Sequence, residues 1–388
     1  MITLLSNLFI KNKNDAESPA VRKAYGILCG AVGIFLNLCL FTGKFFAGLL
    51  SNSIAITADA LNNLSDAGSS LITLLGFQMA GQKPDIDHPF GHGRIEYISG
   101  LLVSIAIILM GFELVKSSIE KIIHPEAVSS DPVIIVILIA SICVKIYMVF
   151  YNTSISKKIA STAMKATATD SLSDSLATFV VLVSTLICKF TSVNIDGYCG
   201  IAVGLFILYA GFSAAKDTIS PLLGQPAKKE FISQIEKIVT SHDGILGIHD
   251  IIVHDYGPGR VMVSLHAEVP SNGNIMEIHD LIDNIEKDLS EECHCEAVIH
   301  MDPILTDDPL TDNLHKEVET ILKNLDQSLK LHDFRIVTGP THTNIIFDIL
   351  LPYEYKMSDG EVVTYLQNKI KELNPHYYAV IHVDKAYY

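Results

Sequence analysis

The sequence predicts an α-helical membrane protein with six transmembrane helices, followed by a cytoplasmic α/β tail that is duplicated. Three observations carry this reading. Hydrophobic residues make up 49% of the 388 residues and mean hydropathy is +0.35, which suits a membrane protein with a sizeable soluble part. Six apolar segments precede residue 221, each long enough to cross a bilayer as a helix. Beyond residue 221 the pattern changes to short amphipathic helices and strand-like runs, and that order then repeats.

Charge divides the chain at the same place. The formal net charge is −15, and residues 221–388 hold 28 Asp and Glu against 13 Lys and Arg, so the tail carries all of it. Twelve of the 15 His also lie there. Such a tail is a poor nucleic-acid binder and a good cation binder. The seven Cys are scattered, with no CxxC pair and no disulfide framework, which fits a reducing compartment for the tail. Residues 1–23 read as a cytoplasmic lead-in. Residues 1–10 are apolar but short and run into the polar KNKNDAESPAVRK, so an amphipathic stretch on the membrane surface is expected rather than a signal peptide.

The six apolar segments span 24–50, 54–80, 95–122, 132–151, 159–189 and 195–215, giving a transmembrane domain over 24–220. Polar clusters interrupt the second and fifth. Lys11, Lys13, Arg22 and Lys23 precede the first segment, and Lys83 and Arg94 separate the second from the third. Lys157 and Lys158 separate the fourth from the fifth, and Lys216, Lys228 and Lys229 follow the sixth. The opposite loops carry only Lys189. By the positive-inside rule both termini are cytoplasmic.

Residues 221–229 read as a hinge. A helix at 230–241, strands at 247–255 and 261–269, a helix at 275–289 and a strand at 297–301 follow. This α-β-β-α-β order suits a ferredoxin-like sandwich over 221–305. A helix at 314–329, strands at 332–337 and 344–351, a helix at 360–373 and a strand at 378–383 repeat it over 306–388. AVIHMD at 297–302 returns as AVIHVD at 379–384, and IHDIIV at 248–253 returns as LHDFRIV at 331–337. Matching order and matching sequence together indicate tandem copies of one module.

The chemistry concentrates in three places. TADALNNLSDA at 57–67 puts Asn62 and Asp66 four residues apart, on one helical face. TDSLSDS at 169–175 puts Asp170 and Asp174 at the same spacing. A carboxylate at membrane depth costs about 3 kcal/mol or more, so it is kept where it meets a partner or a wet cavity. Two such helices side by side aim four oxygen-bearing side chains at one spot, as a divalent cation requires. A lone Asn would read more simply as a structural hydrogen bond between helices. Asp59 shares the face of Asn62 and Asp66, one turn further out, as a pathway residue or a helix-start partner. In the loop DIDHPFGHG, Asp85, His88 and His92 stand at spacings of three and four around a Pro and two Gly, which can fold three ligands onto one ion. Asp87 is a substitute ligand, and a structured loop with exposed His is the alternative. Arg94 and Glu96 read as charge pairs at helix ends. In the tail, His300 and Asp302 share one strand face. Cys293 and Cys295 around His294 read as a helix-to-strand turn, and YGPGR as a hairpin turn rather than a phosphate loop.

Six helices, acidic pairs in the second and fifth, the loop KPDIDHPFGHGRIEY and a tail module ending VIHMDP resemble the cation diffusion facilitator family over about residues 20–305. The resemblance implies a homodimer in the lipid bilayer, in a bacterial plasma membrane, that exports a cytoplasmic divalent cation in exchange for protons. It implies no enzyme activity and no cofactor, only a transported or bound ion. It makes Asn62, Asp66, Asp170 and Asp174 the transport site, and Asp85, His88 and His92 a loop site. It puts His249, His266, His279, His300 and Asp302 among tail ligands at the dimer interface. Zinc members usually carry a His where this chain has Asp170. An all-oxygen set with one amide resembles the manganese branch and suits Mn²⁺, or Fe²⁺, better than Zn²⁺. Its formal charge of −3 against +2 would leave protons on the empty site for metal to displace. A Zn²⁺ or Fe²⁺ exporter is the alternative within the family. An intramembrane aspartyl protease needs one catalytic Asp per helix rather than paired oxygens, and a sensor that does not transport would bind metal without flux.

Overall fold

The computed structural model describes residues 2–10, 18–50, 54–124, 132–191, 196–305 and 308–386. The chain forms two compact units, residues 1–225 with 256–259, and residues 226–255 with 260–388. Lys11 and Lys13, and residues 51–53, 125–131 and 192–195 of the opposite loops, lie outside the described residues.

The first unit is helical. A short helix α1 (Ile2–Phe9) is followed by α2 (Pro19–Leu50), α3 (Ile54–Ala80), α4 (Ile95–Ile123), α5 (Pro132–Lys158), α6 (Thr162–Thr191) and α7 (Asp196–Leu223). The six long helices coincide with the six apolar segments. Among the described residues, four stretches are long and apolar enough to cross a membrane: Ala20–Ala47, Ile95–Ile123, Ile135–Lys158 and Gly197–Leu223. The other two long helices, α3 and α6, carry the Asn and Asp pairs, whose polar atoms dilute their hydropathy. The α1 helix packs into the bundle instead of standing alone: Ile2 and Ile10 join Tyr25, Phe77 and Met148 in one buried cluster. The backbone N–H of Ile2 donates to the Tyr147 hydroxyl at 3.2 Å. The predicted hinge at Pro221 is still helical, because α7 runs through Pro221 to Leu223, and Gly224 then takes a left-handed turn (φ 91°).

Close helix approach fixes where α3 lies. A Cβ on Gly30 of α2 would stand 2.7 Å from Leu74 Cβ and 3.1 Å from Leu74 Cα, so α2 and α3 touch nearly backbone to backbone. Small residues permit such contacts where no hydrophobic effect drives association. Across the bundle, the Thr73 and Thr167 hydroxyls are hydrogen-bonded at 2.8 Å, tying α3 to α6. Arg22 donates twice from one nitrogen to the buried Glu96 carboxylate, at 3.1 and 3.2 Å, joining α2 to α4.

The second unit holds the duplicated modules. In the first, α8 (Lys229–Thr240), β1 (Gly247–Asp255), β2 (Val261–Pro270), α9 (Ile275–Cys293) and β3 (Cys295–Ile304) form a sheet of order β1-β2-β3. In the second, α10 (Pro309–Leu325), β4 (Lys330–Thr338), β5 (Thr343–Pro352), α11 (Asp359–Leu373) and β6 (Tyr377–Ala386) form a sheet of order β4-β5-β6. In each, the first strand pair is antiparallel and the second parallel. The α10 helix starts at Pro309, five residues before the expected 314. Pro is tolerated in a first helical turn, and the Asp308 side chain caps it by accepting from Thr311 N. Each module has its own core. Ile235, Val263, Leu265 and Ile285 fill one, and Val318, Phe347, Leu351 and Leu366 fill the other.

Gly30→Ala is expected to cost roughly 1–3 kcal/mol through overpacking. Thermal unfolding of the purified protein in detergent checks this, and an unchanged midpoint would mean that α2 and α3 do not meet there.

Candidate metal sites

Inside the bundle, α3, α5 and α6 bring ionisable groups to one point. Asp66 on α3 and Asp170 on α6 are 6% and 4% exposed. Lys145, from the middle of α5, is 2% exposed. Its ammonium donates to Asp66 Oδ2 at 2.7 Å and to Asp174 Oδ2 at 2.6 Å. Asp170 lies near enough to interact electrostatically with all three. Asp66, Asp170 and Asp174 converge, and a cation already sits between Asp66 and Asp174. Asn62, one turn from Asp66, is exposed, whereas its neighbour Asn63 is buried. The Asp59 side chain lies outside the described residues. Sequence reasoning missed Lys145 because it weighed the acids alone. The signal was present: a lysine at mid-depth in an apolar span is expensive unless it meets an acid.

The loop between α3 and α4 brings its three candidate ligands together. Asp85, His88 and His92 place one donor atom each within 4.8 Å of one another. Asp85 Oδ1 is 3.4 Å from His88 Nδ1, and Asp85 Oδ2 is 3.4 Å from His92 Nε2. The His88 backbone N–H donates to Asp85 Oδ1 at 2.7 Å. That bond, first among the causes, holds the exposed Asp85 carboxyl below its ordinary value. Nδ1 of His92 is buried without a hydrogen-bond partner among the described residues. Glu96, read from the sequence as a helix-end charge pair, pairs with Arg22.

In the first tail module, register builds the site. His249, His266 and His300 fall in one row across β1, β2 and β3. Val263, Leu265 and Ala267 point the other way, into the core, so the His row occupies the face opposite the helices. Asp302 is the hub. Its Oδ2 is 2.9 Å from His266 Nδ1 and 3.2 Å from His249 Nε2, and its Oδ1 is 3.3 Å from His300 Nε2. His279 stands apart on the exposed side of α9, 3.6 Å from Asp283. The Cys pair is a turn, as expected: α9 ends at Cys293, His294 is left-handed (φ 51°), and Cys295 opens β3. Burial pushes the Cys295 thiol up to about 11, which suits packing rather than ligation.

The second module repeats the row as His332, Asp348 and His382, with Asp384 in the place of Asp302. Asp348, His382 and Asp384 bring donor atoms within 4.8 Å of one another. Burial lifts the Asp348 and Asp384 carboxyls and pushes His332 down to about 4. At neutral pH the His332 ring is therefore uncharged, with a nitrogen lone pair free to ligate.

The fold and these clusters define a membrane transporter that handles metal ions. Residues 31–223 match the cation efflux transmembrane domain, and residues 227–304 match the cytoplasmic domain of cation efflux proteins. The chain belongs to this family, the cation diffusion facilitators. It is 34% identical over 267 residues to an uncharacterized transporter of Methanocaldococcus jannaschii, covering 69% of this chain and 94% of that protein. It is 28% identical over 274 residues to the manganese efflux system protein MneS of Bacillus subtilis, covering 70% and 94%. With the cation-efflux pump FieF of Cronobacter sakazakii it shares 27% identity over 261 residues, covering 67% and 87%. These relatives are transporters, not enzymes.

Replacing Lys145 with Met is expected to destabilise the metal-free protein by roughly 3–5 kcal/mol, because it leaves buried carboxylates unpaired. Mn²⁺ should restore much of the loss. Thermal unfolding with and without Mn²⁺ measures both, and equal midpoints for wild type and variant would dismiss the ion triad.

Proposed function

We propose that the chain exports a divalent cation, Mn²⁺ in first place, by proton antiport and alternating access at Asn62, Asp66, Asp170 and Asp174. The observation that carries this reading is the Asp66–Lys145–Asp174 bridge. Three carboxylates and one ammonium leave a net charge of −2, equal and opposite to a divalent cation. An arriving ion takes the oxygens that Lys145 holds, and Lys145 takes them back on release. The charge balance supports exchange of two protons for one ion, because either occupant neutralises the site. Charge neutrality matters because unbalanced charge at this depth is costly. With Asn62 exposed, selectivity rests chiefly on carboxylates, hard ligands that suit Mn²⁺ or Fe²⁺ more than Zn²⁺. The name of the Bacillus relative, a manganese efflux protein, supports the same choice.

Six spanning helices with both termini cytoplasmic, two ferredoxin-like tail modules and a homodimer in a bacterial plasma membrane complete the reading. In it, Asp85, His88 and His92 hold a loop ion. His249, His266, His300 and Asp302 hold a tail ion.

In proteoliposomes, Mn²⁺ entry should drive proton exit, read by an internal pH dye, and Asp66→Ala should lower the flux at least tenfold. Metal binding without proton movement in the wild type would make the protein a sensor instead. Asp170→His should shift the Mn²⁺-to-Zn²⁺ rate ratio towards Zn²⁺, and an unaltered ratio would remove Asp170 from the ligand set.

A further inference from the structure

The two tail modules meet through the sheet faces that carry the His rows. His249 of the first module and His332 of the second occupy equivalent positions, and their rings stack at 4.4 Å and 26°. Nearby, the Asp333 backbone N–H donates across the junction to Glu268 Oε1 at 3.4 Å. Contact between equivalent residues puts the copies face to face.

At that junction Asp250 of the first module joins His332 and Asp384 of the second, with one donor atom from each within 4.8 Å of the others. Backbone geometry is responsible for Asp250. It lies in a bulge of β1 and takes a left-handed conformation (φ 51°), which a side chain other than Gly adopts at a cost. His332 is 7% exposed, and neither ring nitrogen has a hydrogen-bond partner among the described residues. Asp384 Oδ2, 3.5 Å from His332 Nε2, is also buried without a hydrogen bond. Buried polar atoms are normally paired, and orphans call for an unseen partner. The set is two carboxylates and one imidazole, a mix of ligands that first-row divalent cations accept.

We propose that Asp250, His332 and Asp384 bind one first-row divalent cation that clamps the two tail modules together. Each module alone lacks part of the ligand set. The junction is asymmetric in a way that favours a single shared ion. The second module's equivalent of Asp250 is Asp333, also left-handed (φ 49°). Its carboxylate stands 3.5 Å from Arg335 Nη1, where the first module has Ile252. A guanidinium occupies the acid on that side, and no Lys or Arg among the described residues forms an ion pair with Asp250. The site does not depend on which ion crosses the membrane or on whether transport occurs.

The test uses the purified full-length protein, stripped of metal and dialysed against Mn²⁺ alone and, separately, Zn²⁺ alone, with bound ions counted per chain. Asp250→Asn preserves shape and tolerates the left-handed backbone; His332→Gln preserves polarity. Each variant should bind one ion fewer per chain than wild type, and the ion should raise the tail's unfolding midpoint in wild type more than in either variant. A wild-type count in Asp250→Asn with both ions overturns the site. A loss confined to His332→Gln also overturns it, since the missing ion would then belong to one module alone.

Discussion

Lys145 reaches two carboxylates on two other helices from the middle of its own, at 2.7 and 2.6 Å. In a low-dielectric interior such bonds are strong, but burying the charges costs comparably much, so the triad is poor as glue and effective as a constraint. It demands that α3, α5 and α6 keep one relative position, within a hydrogen bond's tolerance, whenever no other cation is present. The Gly30 contact and the Thr73–Thr167 bond hold α3 in that position from either side. An ion that replaces the ammonium relaxes the demand on α5 alone. In the transport cycle proposed above, α5 is then the element that moves.

The tail obeys a different constraint. A strand alternates faces every two residues, so a ligand row and a core row can coexist on one sheet without competing. His249, His266 and His300 use one face while Val263, Leu265 and Ala267 use the other. The second module carries the same two rows, with Asp348 where the first has His266 on one face, and with Ile345, Phe347 and Ile349 where it has Val263, Leu265 and Ala267 on the other. The core face changes in size while staying apolar, because it closes a separate packed interior in each module.

Much of this was legible in the residues. Periodicity located the six long helices, and spacing paired Asp66 with Asp170 and Asp174, because both signals are local. The loop ligands Asp85, His88 and His92 were legible for the same reason. Lys145 was not, because a hydropathy reading treats one lysine in an apolar span as a blemish, and only its neighbours reveal its role. Asn62 read as equal to Asp66 because they share a helical face, but a face spans about 100° and burial within it is set by packing. Helix α10 began early because a cap and a proline outweighed the hydrophobic pattern. The junction between modules left no local trace, since Asp250 and His332 are far apart in the chain.

Only residues 305–308 separate β3 from α10. The second module is therefore never a free partner awaiting collision. Over a connection that short its effective concentration beside the first is on the order of millimolar. A dimer contact between separate chains weakens as the membrane holds fewer copies, but the His249–His332 face does not. A single molecule at the lowest expression level holds that face together as well as many do.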